Sequence, residues 1–186
     1  MKTEVGSSPD SISKPKLDFI PGHIIPPDQN NKVPYIPYPV SLHTVDMAIL
    51  RITYAHEIEI LLGRKPGQSL FQFPGGFMDP GETAEQAAER ELKEETCLEL
   101  TFTRKHYLGS FFIDDPRYKD TPHKITSSLF GQFITHDISL NTKASDDLEE
   151  IRWFKFSSLE SLPLKSFHST FIDVIMKELP NLMLLK

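Results

Sequence analysis

The stretch from Gly76 to Leu98 carries acidic residues at spacings that suit metal binding. Glu91, Glu94 and Glu95 stand at positions i, i+3 and i+4. At roughly 100° per residue in an α-helix, their side chains point into an arc about 100° wide. Like charges on one helix face repel each other, and a hard divalent cation that prefers oxygen ligands would relieve this repulsion. The spacing therefore predicts a site for Mg²⁺ or Mn²⁺.

The residues around these glutamates predict a tight loop followed by a helix. Residues 73–76 read Phe-Pro-Gly-Gly, a run that breaks regular structure and lets the backbone approach a ligand closely. Thr83 and Gln86 have the spacing of a capping box, which predicts a helix from about Ala84 to Thr96. Arg90 lies one turn before the second of the three glutamates and can hold its carboxylate. The helix would thus turn one face to the core and another to a metal.

This stretch resembles the Nudix box, G-x5-E-x7-R-E-U-x-E-E-x-G-U, in which U is a bulky aliphatic residue. Cys97 departs from the pattern, because it stands where the box has its second glycine. A non-glycine residue in the left-handed conformation at a helix end costs roughly 1 kcal/mol, so we expect that strain or a different helix end. The positions that match the box are Gly76, Glu82, Arg90, Glu91, Leu92, Glu94, Glu95 and Leu98.

The resemblance implies an α/β (α+β) Nudix fold, an α/β/α sandwich in which a loop-helix-loop motif lies over a mixed sheet. It implies that Glu91, Glu94 and Glu95 hold one or more metal ions together with the backbone carbonyl of Gly76. Arg90 would orient these ligands, and the catalytic group would comprise Arg90, Glu94, Glu95 and a general base. Glu82 would be a further metal ligand or would support the others.

Apolar periodicity along the rest of the body predicts strands followed by a helix. We expect a hairpin around residues 54–56. A helix is predicted over residues 167–179, and Pro180 follows it. The predicted strands cover residues 44–52, 57–62, 99–103, 107–113, 124–134 and 150–156.

The chain divides at about residue 37 into an arm and a body. Residues 1–37 are rich in proline, and we expect the beginning of this arm to be disordered. Its later apolar residues are too many for a free tail, so we expect that part to pack on the body or on a partner subunit. Residues 38–186 form the predicted Nudix domain.

The general base and the substrate contacts are predicted to lie on loops. Asp147 is the first candidate for the base, followed by Asp146 and then by Glu149 or Glu150; the alternative is an ordinary polar loop. A second loop at residues 114–120 combines cations, carboxylates and an aromatic ring. There Arg117 would contact phosphate, Asp115 a ribose hydroxyl and Tyr118 a ring, or the segment is an ordinary charged turn. The seven histidines show no metal-ligand spacing, and we expect most of them to be bystanders.

Outside the box, residues 38–180 resemble the Nudix domain of bifunctional nicotinamide-mononucleotide adenylyltransferase/ADP-ribose pyrophosphatases. This resemblance implies hydrolysis of a nucleoside diphosphate linked to another moiety, first of all ADP-ribose to AMP and ribose 5-phosphate, by a homodimer. The alternatives are another Nudix specificity, such as nucleoside triphosphates, dinucleoside polyphosphates or capped RNA, and a module that senses ADP-ribose without cleaving it. The matching segments are Tyr38-Pro39, Thr44-Val45-Asp46, Pro74-Gly75-Gly76-Phe77, Asp115-Pro116-Arg117, Lys124-Ile125-Thr126 and Lys143 to Asp147 before Trp153.

Composition limits the classes of protein to consider. A net charge of −6 gives no electrostatic footprint for DNA, yet bound cations would still let an anionic substrate approach. The single cysteine excludes an internal disulfide, as expected in a reducing compartment, and we expect a cytoplasmic location. The chain shows neither an apolar signal segment nor a run long enough to cross a membrane.

Overall fold

A computed structural model describes residues 41–118, 124–165 and 168–185 of the chain. The predicted arm at residues 1–37 lies outside the described residues. The helices are α1 (Ala84–Thr96), α2 (His136–Ser139) and α3 (Ser169–Leu184). The strands are β1 (Ser41–Ile52), β2 (Ile58–Arg64), β3 (Gly75–Phe77), β4 (Tyr107–Ile113), β5 (Lys124–Ile134) and β6 (Glu150–Lys155).

Strand β1 organises the sheet, whose order is β4-β5-β1-β2-β6. On one side β1 pairs in parallel with β5 along nearly its whole length. On the other side its second half pairs antiparallel with β2, and its first half pairs antiparallel with β3. The sheet is therefore mixed. On this side of β1, pairing with β3 ends at Asp46 and pairing with β2 begins at Leu50.

Alternation along β1 explains the two layers that cover the sheet, because successive strand side chains point to opposite faces. Val45, Met47 and Ile49 are buried on the face covered by α1. Ala48 and Leu50 are buried on the opposite face, which α3 covers. The helices contribute Ala87, Ala88 and Leu92 from α1 and Phe171, Ile172 and Ile175 from α3. The predicted α/β/α sandwich is confirmed.

Two of the expected elements are wrong in detail. Residues 99–103 do not form a strand: Leu98 and Phe102 are buried on the α1 side, and the Phe102 N–H donates to the Glu89 carboxylate (2.9 Å) instead of to a neighbouring strand. Apolar alternation there reflects packing without a pairing partner. Helix α3 does not stop before Pro180 but continues to Leu184. Burial of Leu182 holds its last turn against the sheet and offsets the hydrogen bond that proline cannot make.

The other predicted elements lie within a few residues of their expected bounds, whereas β3 and α2 were not predicted from the sequence. A turn joins β1 to β2, with the Thr53 N–H donating to the Glu57 carbonyl (2.9 Å) and the His56 N–H to the Thr53 carbonyl (2.9 Å). No helix in the described parts of the chain has the length and apolar character that a bilayer crossing requires.

Candidate active site

Helix α1 begins with the capping box that its sequence predicts. The Gln86 N–H donates to the Thr83 hydroxyl (3.2 Å), and the Thr83 N–H donates to the Gln86 side-chain carbonyl (2.9 Å). The box fixes the helix start close to the loop that leads from β3. It thereby sets which residues of α1 face that loop.

Helix α1 ends at Cys97, which has φ 60° and ψ 11°. This is the left-handed conformation in which the box pattern has glycine. The Cys97 N–H donates to the Lys93 carbonyl (2.9 Å), so the last turn closes normally. The expectation of a strained left-handed cysteine is confirmed.

Arg90 links the acidic residues of the box. Its Nε donates to Glu82 (2.7 Å), and its Nη1 donates to Glu91 (2.8 Å) and to Glu94 (3.1 Å). Nη2 reaches the Phe77 carbonyl at 3.0 Å, which ties the helix to the end of β3. The expected contact between Arg90 and Glu94 is therefore present, but Arg90 also holds two further carboxylates.

Two partners of Arg90, Glu82 and Glu91, have pKa values shifted in opposite directions. The guanidinium hydrogen bonds, with the Asp79 N–H, hold the pKa of Glu82 down to about 2. Burial raises the pKa of Glu91, although Arg90 opposes the shift. Glu82 is thus an anion that anchors Arg90, whereas the charged form of Glu91 is destabilised by burial even with Arg90 beside it.

Residues 73–77, which include the short strand β3 and are called the glycine loop below, fit closely around two of these carboxylates. A Cβ placed on Gly76 would overlap the Glu91 carboxylate, so a side chain at this position would displace that carboxylate. The Gly75 N–H donates to Glu95 (2.8 Å), whose side chain is only 1% exposed. Gly75 itself has φ 155° and leaves no room for a Cβ against the Val45 carbonyl. Gly76 therefore lets this segment lie against Glu91 of α1, and Gly75 lets it lie against the backbone of β1.

Glu91, Glu94 and Glu95 form the acidic face of α1, and Asp147 lies beside Glu95 at the C-terminal end of that face. The connection after β5 is held there because the Lys143 N–H donates to the Thr96 carbonyl (3.0 Å) and the Ser145 N–H donates to the Glu95 carbonyl (3.1 Å). Asp147 forms an ion pair with Lys65, and its carboxyl group is close enough to that of Glu95 for each to shift the pKa of the other.

The carboxyl groups of Glu95 and Asp147 have pKa values shifted in opposite directions. Burial raises the pKa of Glu95 to about 9, the Gly75 N–H opposes this shift, and Asp147 adds to it. Burial works against ionisation of Asp147 as well, but Lys65 and Glu95 together hold the pKa of Asp147 below its usual range. The two shifts favour the protonated form of Glu95 and the ionised form of Asp147, whose side chain is half-exposed.

The other candidate bases have different surroundings. Asp146 is exposed and has φ 52°. Glu149 and Glu150 both contact Arg64, at 3.3 Å and 2.8 Å, on the strand side of the loop. Of the four carboxylates proposed from sequence, Asp147 is the one that touches a box glutamate.

A cavity of about 170 Å³ opens beside the glycine loop, where β1 exchanges β2 for β3. Asp115 and Arg117 line it and form an ion pair of 2.7 Å, in which Asp115 is buried and Arg117 is largely exposed. The carboxyl pKa of Asp115 lies below its usual range because Arg117 outweighs the effect of burial. Tyr118 instead packs against the apolar core on the α3 side.

Sequence reasoning missed several polar residues that line this cavity. They include Asp46, Lys65, Gln72, Lys165 and His168. A carboxylate inside the apolar run of β1 was a signal for Asp46, because acids are almost never buried without a partner. His168 was expected to be a bystander, but it is buried and its Nδ1 accepts the Phe73 N–H (3.3 Å). Nothing in its spacing could have shown that contact.

The acidic set has the right chemistry for a hard cation. Its oxygens belong to buried or half-buried glutamates, and the Glu91 carboxylate lies directly against the backbone of Gly76. In the described residues no three acidic, histidine or cysteine side chains already converge as a metal cage. Arg90 and the Gly75 N–H satisfy these carboxylates instead. Binding a cation would require Glu91 and Glu94 to exchange Arg90 for the ion.

Comparison with known proteins agrees with this geometry. An ADP-ribose pyrophosphatase from Methanocaldococcus jannaschii is 36% identical over 105 residues, which cover 55% of this chain and 57% of that protein. The Nudix domain of NrtR from Shewanella oneidensis, solved with ADP-ribose, superposes with a TM-score of 0.63 at 20% identity and covers 78% of this chain and 94% of that one.

A bifunctional NMN adenylyltransferase/ADP-ribose pyrophosphatase from Francisella tularensis, solved with AMP and manganese, also shares the fold. Its TM-score is 0.55 at 23% identity, with 77% of this chain and 43% of that chain covered. Among the curated relatives, the chain spans 54% of one and 35% of another. The NUDIX domain family matches residues 43–175, well over half of the sequence, and the chain therefore belongs to the Nudix family.

Proposed function

We propose that this chain is a metal-dependent pyrophosphohydrolase that cleaves a nucleoside diphosphate linked to another moiety, with ADP-ribose giving AMP and ribose 5-phosphate as the first candidate. The observation that carries the proposal is the acidic face of α1 lying directly against the glycine loop, beside a cavity lined in part by charged and polar side chains. Phosphoryl transfer asks a protein chiefly to position its substrate and to neutralise charge. The site combines groups for both tasks.

The box residues would hold the divalent ion that Nudix enzymes generally use. Glu91, Glu94 and Glu95 supply carboxylate oxygens, and the Gly76 carbonyl lies in the same loop. Mg²⁺ or Mn²⁺ suits these oxygen ligands. When bound, the ion would supply positive charge to the pyrophosphate and acidify a water molecule.

Arg90 and Glu82 position the ligands. Glu82 remains ionised and anchors the guanidinium by two hydrogen bonds, at 2.7 Å and 2.9 Å. Arg90 in turn reaches Glu91 and Glu94, so it sets where their carboxylates lie before the ion and the substrate arrive. This arrangement supports a positioning role for Arg90 and a supporting role for Glu82.

Asp147 is our candidate for the general base. It is ionised, exposed to solvent and adjacent to Glu95, and a base must be unprotonated and within reach of the attacking water. The Lys65 ion pair keeps it in that state. Asp147 would accept the proton of the attacking water as the pyrophosphate bond breaks.

ADP-ribose is the first candidate because of the relatives. The M. jannaschii relative is named for this activity, and the NrtR domain was solved with this ligand. Other Nudix substrates remain the alternative. A sensing module without hydrolysis is disfavoured by the complete set of Glu82, Arg90, Glu91, Glu94 and Glu95, since sensing does not need these groups.

A substrate panel tests the proposal. The purified chain should be incubated with Mg²⁺ and ADP-ribose, ADP-glucose, a nucleoside triphosphate, a dinucleoside polyphosphate and NAD-capped RNA, and AMP or the corresponding nucleotide should be quantified. The highest kcat/KM is expected for ADP-ribose. If only the nucleoside triphosphate is cleaved, the chain is a hydrolase but ADP-ribose is not its substrate. If ADP-ribose binds and nothing is cleaved, the sensing module is favoured.

A further inference from the structure

The cavity beside the glycine loop is large enough for one ring of a nucleotide sugar. Its volume of about 170 Å³ lies below the low end, about 300 Å³, of cavities that enclose whole drug-sized ligands. Gly75 and Gly76 line it, so it adjoins the proposed site of pyrophosphate cleavage. A substrate whose pyrophosphate lies on the glycine loop would place one of its two ends in this cavity.

The floor of the cavity is a buried acceptor held in place by two neighbours. Asp46 accepts a hydrogen bond from the Ser127 hydroxyl through Oδ2. Its Oδ1 lies 3.5 Å from His168 Nε2. The His168 ring is buried, packs between Phe73 and Phe171, and receives the Phe73 N–H on Nδ1. Asp46 therefore keeps a fixed orientation at the bottom of the cavity.

The wall of the cavity supplies donors next to acceptors. Lys165 donates to the Gln72 side-chain carbonyl, and Asp115 is bound by Arg117. Lys65 at the rim is paired with Asp147. Each cation of the lining thus has a carboxylate or amide oxygen as a neighbour, and the described lining residues include three cationic and two acidic side chains.

This chemistry distinguishes among the possible occupants. A phosphate would meet the carboxylates of Asp46 and Asp115 as well as the cations. A nucleobase would need a flat apolar face, but Phe77 is the one phenyl ring among the described lining residues and it is 39% exposed. Sugar hydroxyls both donate and accept hydrogen bonds, so alternating donors and acceptors satisfy them.

We propose that this cavity binds the sugar on the far side of the pyrophosphate, with its hydroxyls donating to Asp46 and accepting from Lys165, while the nucleobase lies outside. This inference rests on the proposed function and names how its substrate is selected. The enzyme would discriminate among nucleotide sugars by the sugar rather than by the base. Asp46 and Lys165 would be its specificity-determining residues.

Binding of the two products tests the assignment without requiring turnover. Isothermal calorimetry with the full chain and Mg²⁺ should measure the Kd of ribose 5-phosphate and of AMP for the wild type, Asp46→Asn and Lys165→Met. Each variant should weaken ribose 5-phosphate about tenfold or more and leave AMP within about twofold, because each removes a hydrogen bond to a charged group. Lys155→Met is the matched control: Lys155 pairs with Glu57 (2.7 Å) by the β1–β2 turn, so both affinities should stay unchanged.

Three results would overturn the inference: variants that weaken AMP but not ribose 5-phosphate, variants that weaken both equally, and a wild type that does not bind ribose 5-phosphate. The first would place the nucleoside in the cavity. Should Asp46→Asn lose thermal stability, Lys165→Met on the α3 side carries the test alone. A wild type that binds ribose 5-phosphate as expected but releases no AMP from ADP-ribose would reject the proposed function and leave the sugar site standing.

Discussion

At the level of single residues, Arg90 governs how the acidic face of α1 is charged. It contacts Glu82, Glu91 and Glu94, and it also binds the Phe77 carbonyl at the end of β3. Four acceptors on one guanidinium explain how several carboxylates can stand on one short face. A bound cation would take over part of this neutralisation.

Replacing Glu94 by glutamine tests whether the acidic face is catalytic. Glu94 is 47% exposed, so the change keeps the shape of the side chain and should leave the fold intact. It removes a charged oxygen ligand, and kcat for ADP-ribose should fall about a hundredfold or more. Glu99→Gln is the matched control, since Glu99 is an exposed partner of Lys93 just beyond the helix, and its kcat should stay near that of the wild type. Equal activities in the two variants would contradict the proposed role.

The fall of kcat at low pH should report the ionisation of Asp147. A base works only when ionised, so kcat falls as the pH drops through its pKa. Lys65 lowers the pKa of Asp147, although burial opposes the effect. Lys65→Met should therefore raise that pKa and move the acid limb to higher pH, whereas Lys155→Met should leave the limb in place.

Asp147→Asn completes this test. It should lower kcat far more than it changes KM, and it should leave metal affinity nearly unchanged. If Asp147→Asn keeps the wild-type kcat while a variant at Asp146, Glu149 or Glu150 does not, the role belongs to that neighbour. If all four variants are fully active, the base lies outside this loop.

At the level of elements, helix α1 joins the loop before it to the loop after it. Its start is fixed by the capping box, its middle packs on β1, and its last turn binds the backbone of residues 143–145. Helix α1 thus holds the proposed metal ligands and the loop of the candidate base close together. At the C-terminal end of α1, Cys97 has a left-handed backbone conformation that is strained for a residue other than glycine.

Cys97→Gly should stabilise the protein. A non-glycine residue at φ 60° is strained, and glycine would relieve roughly 1 kcal/mol, part of which its greater freedom in the unfolded chain takes back. For a chain of this size the gain corresponds to an increase in Tm of up to about 2–4 °C. Differential scanning calorimetry measures it, with Cys97→Ala as a control that keeps a Cβ and should show no increase. A lower Tm for the glycine variant would mean that the thiol makes a contact worth more than the strain.

Sequence patterns predicted a helix or strand correctly where interactions between residues close in sequence determine the structure. The capping box and the glutamate spacing fixed α1, because both act within four residues. The strand expected at residues 99–103 failed because alternation alone cannot show whether a partner strand is present. Pro180 failed as a stop signal because the burial of Leu182, a tertiary contact, outweighed a local rule.

The same distinction applies to the site. The box residues could be named from sequence because they lie on one helix and one loop. Lys65, Lys165 and His168 come from three separated segments that only the fold brings to the cavity. Asp46 gave a partial signal as an acid within an apolar strand, but its partners Ser127 and His168 were not visible in the sequence.

At the level of the whole molecule, assembly remains a prediction. The resemblance to ADP-ribose pyrophosphatases and the apolar residues of the arm at 1–37 both point to a homodimer. Size-exclusion chromatography with light scattering should give twice the mass of 21.2 kDa for one chain. Deletion of residues 1–37 should lower Tm or shift the mass towards the monomer. A monomeric full chain, with a deletion that changes neither stability nor activity, would contradict both expectations.

Metal-dependent product formation from ADP-ribose tests the central claim most directly. The purified chain should be assayed for AMP and ribose 5-phosphate by chromatography, first with Mg²⁺, then in EDTA, then after Mg²⁺ is restored in excess. The acidic face of α1 predicts equal amounts of the two products with Mg²⁺, none in EDTA, and full recovery on restoration. Undiminished release of AMP in EDTA would show that the glutamates of α1 do not work through a metal, and would contradict the account.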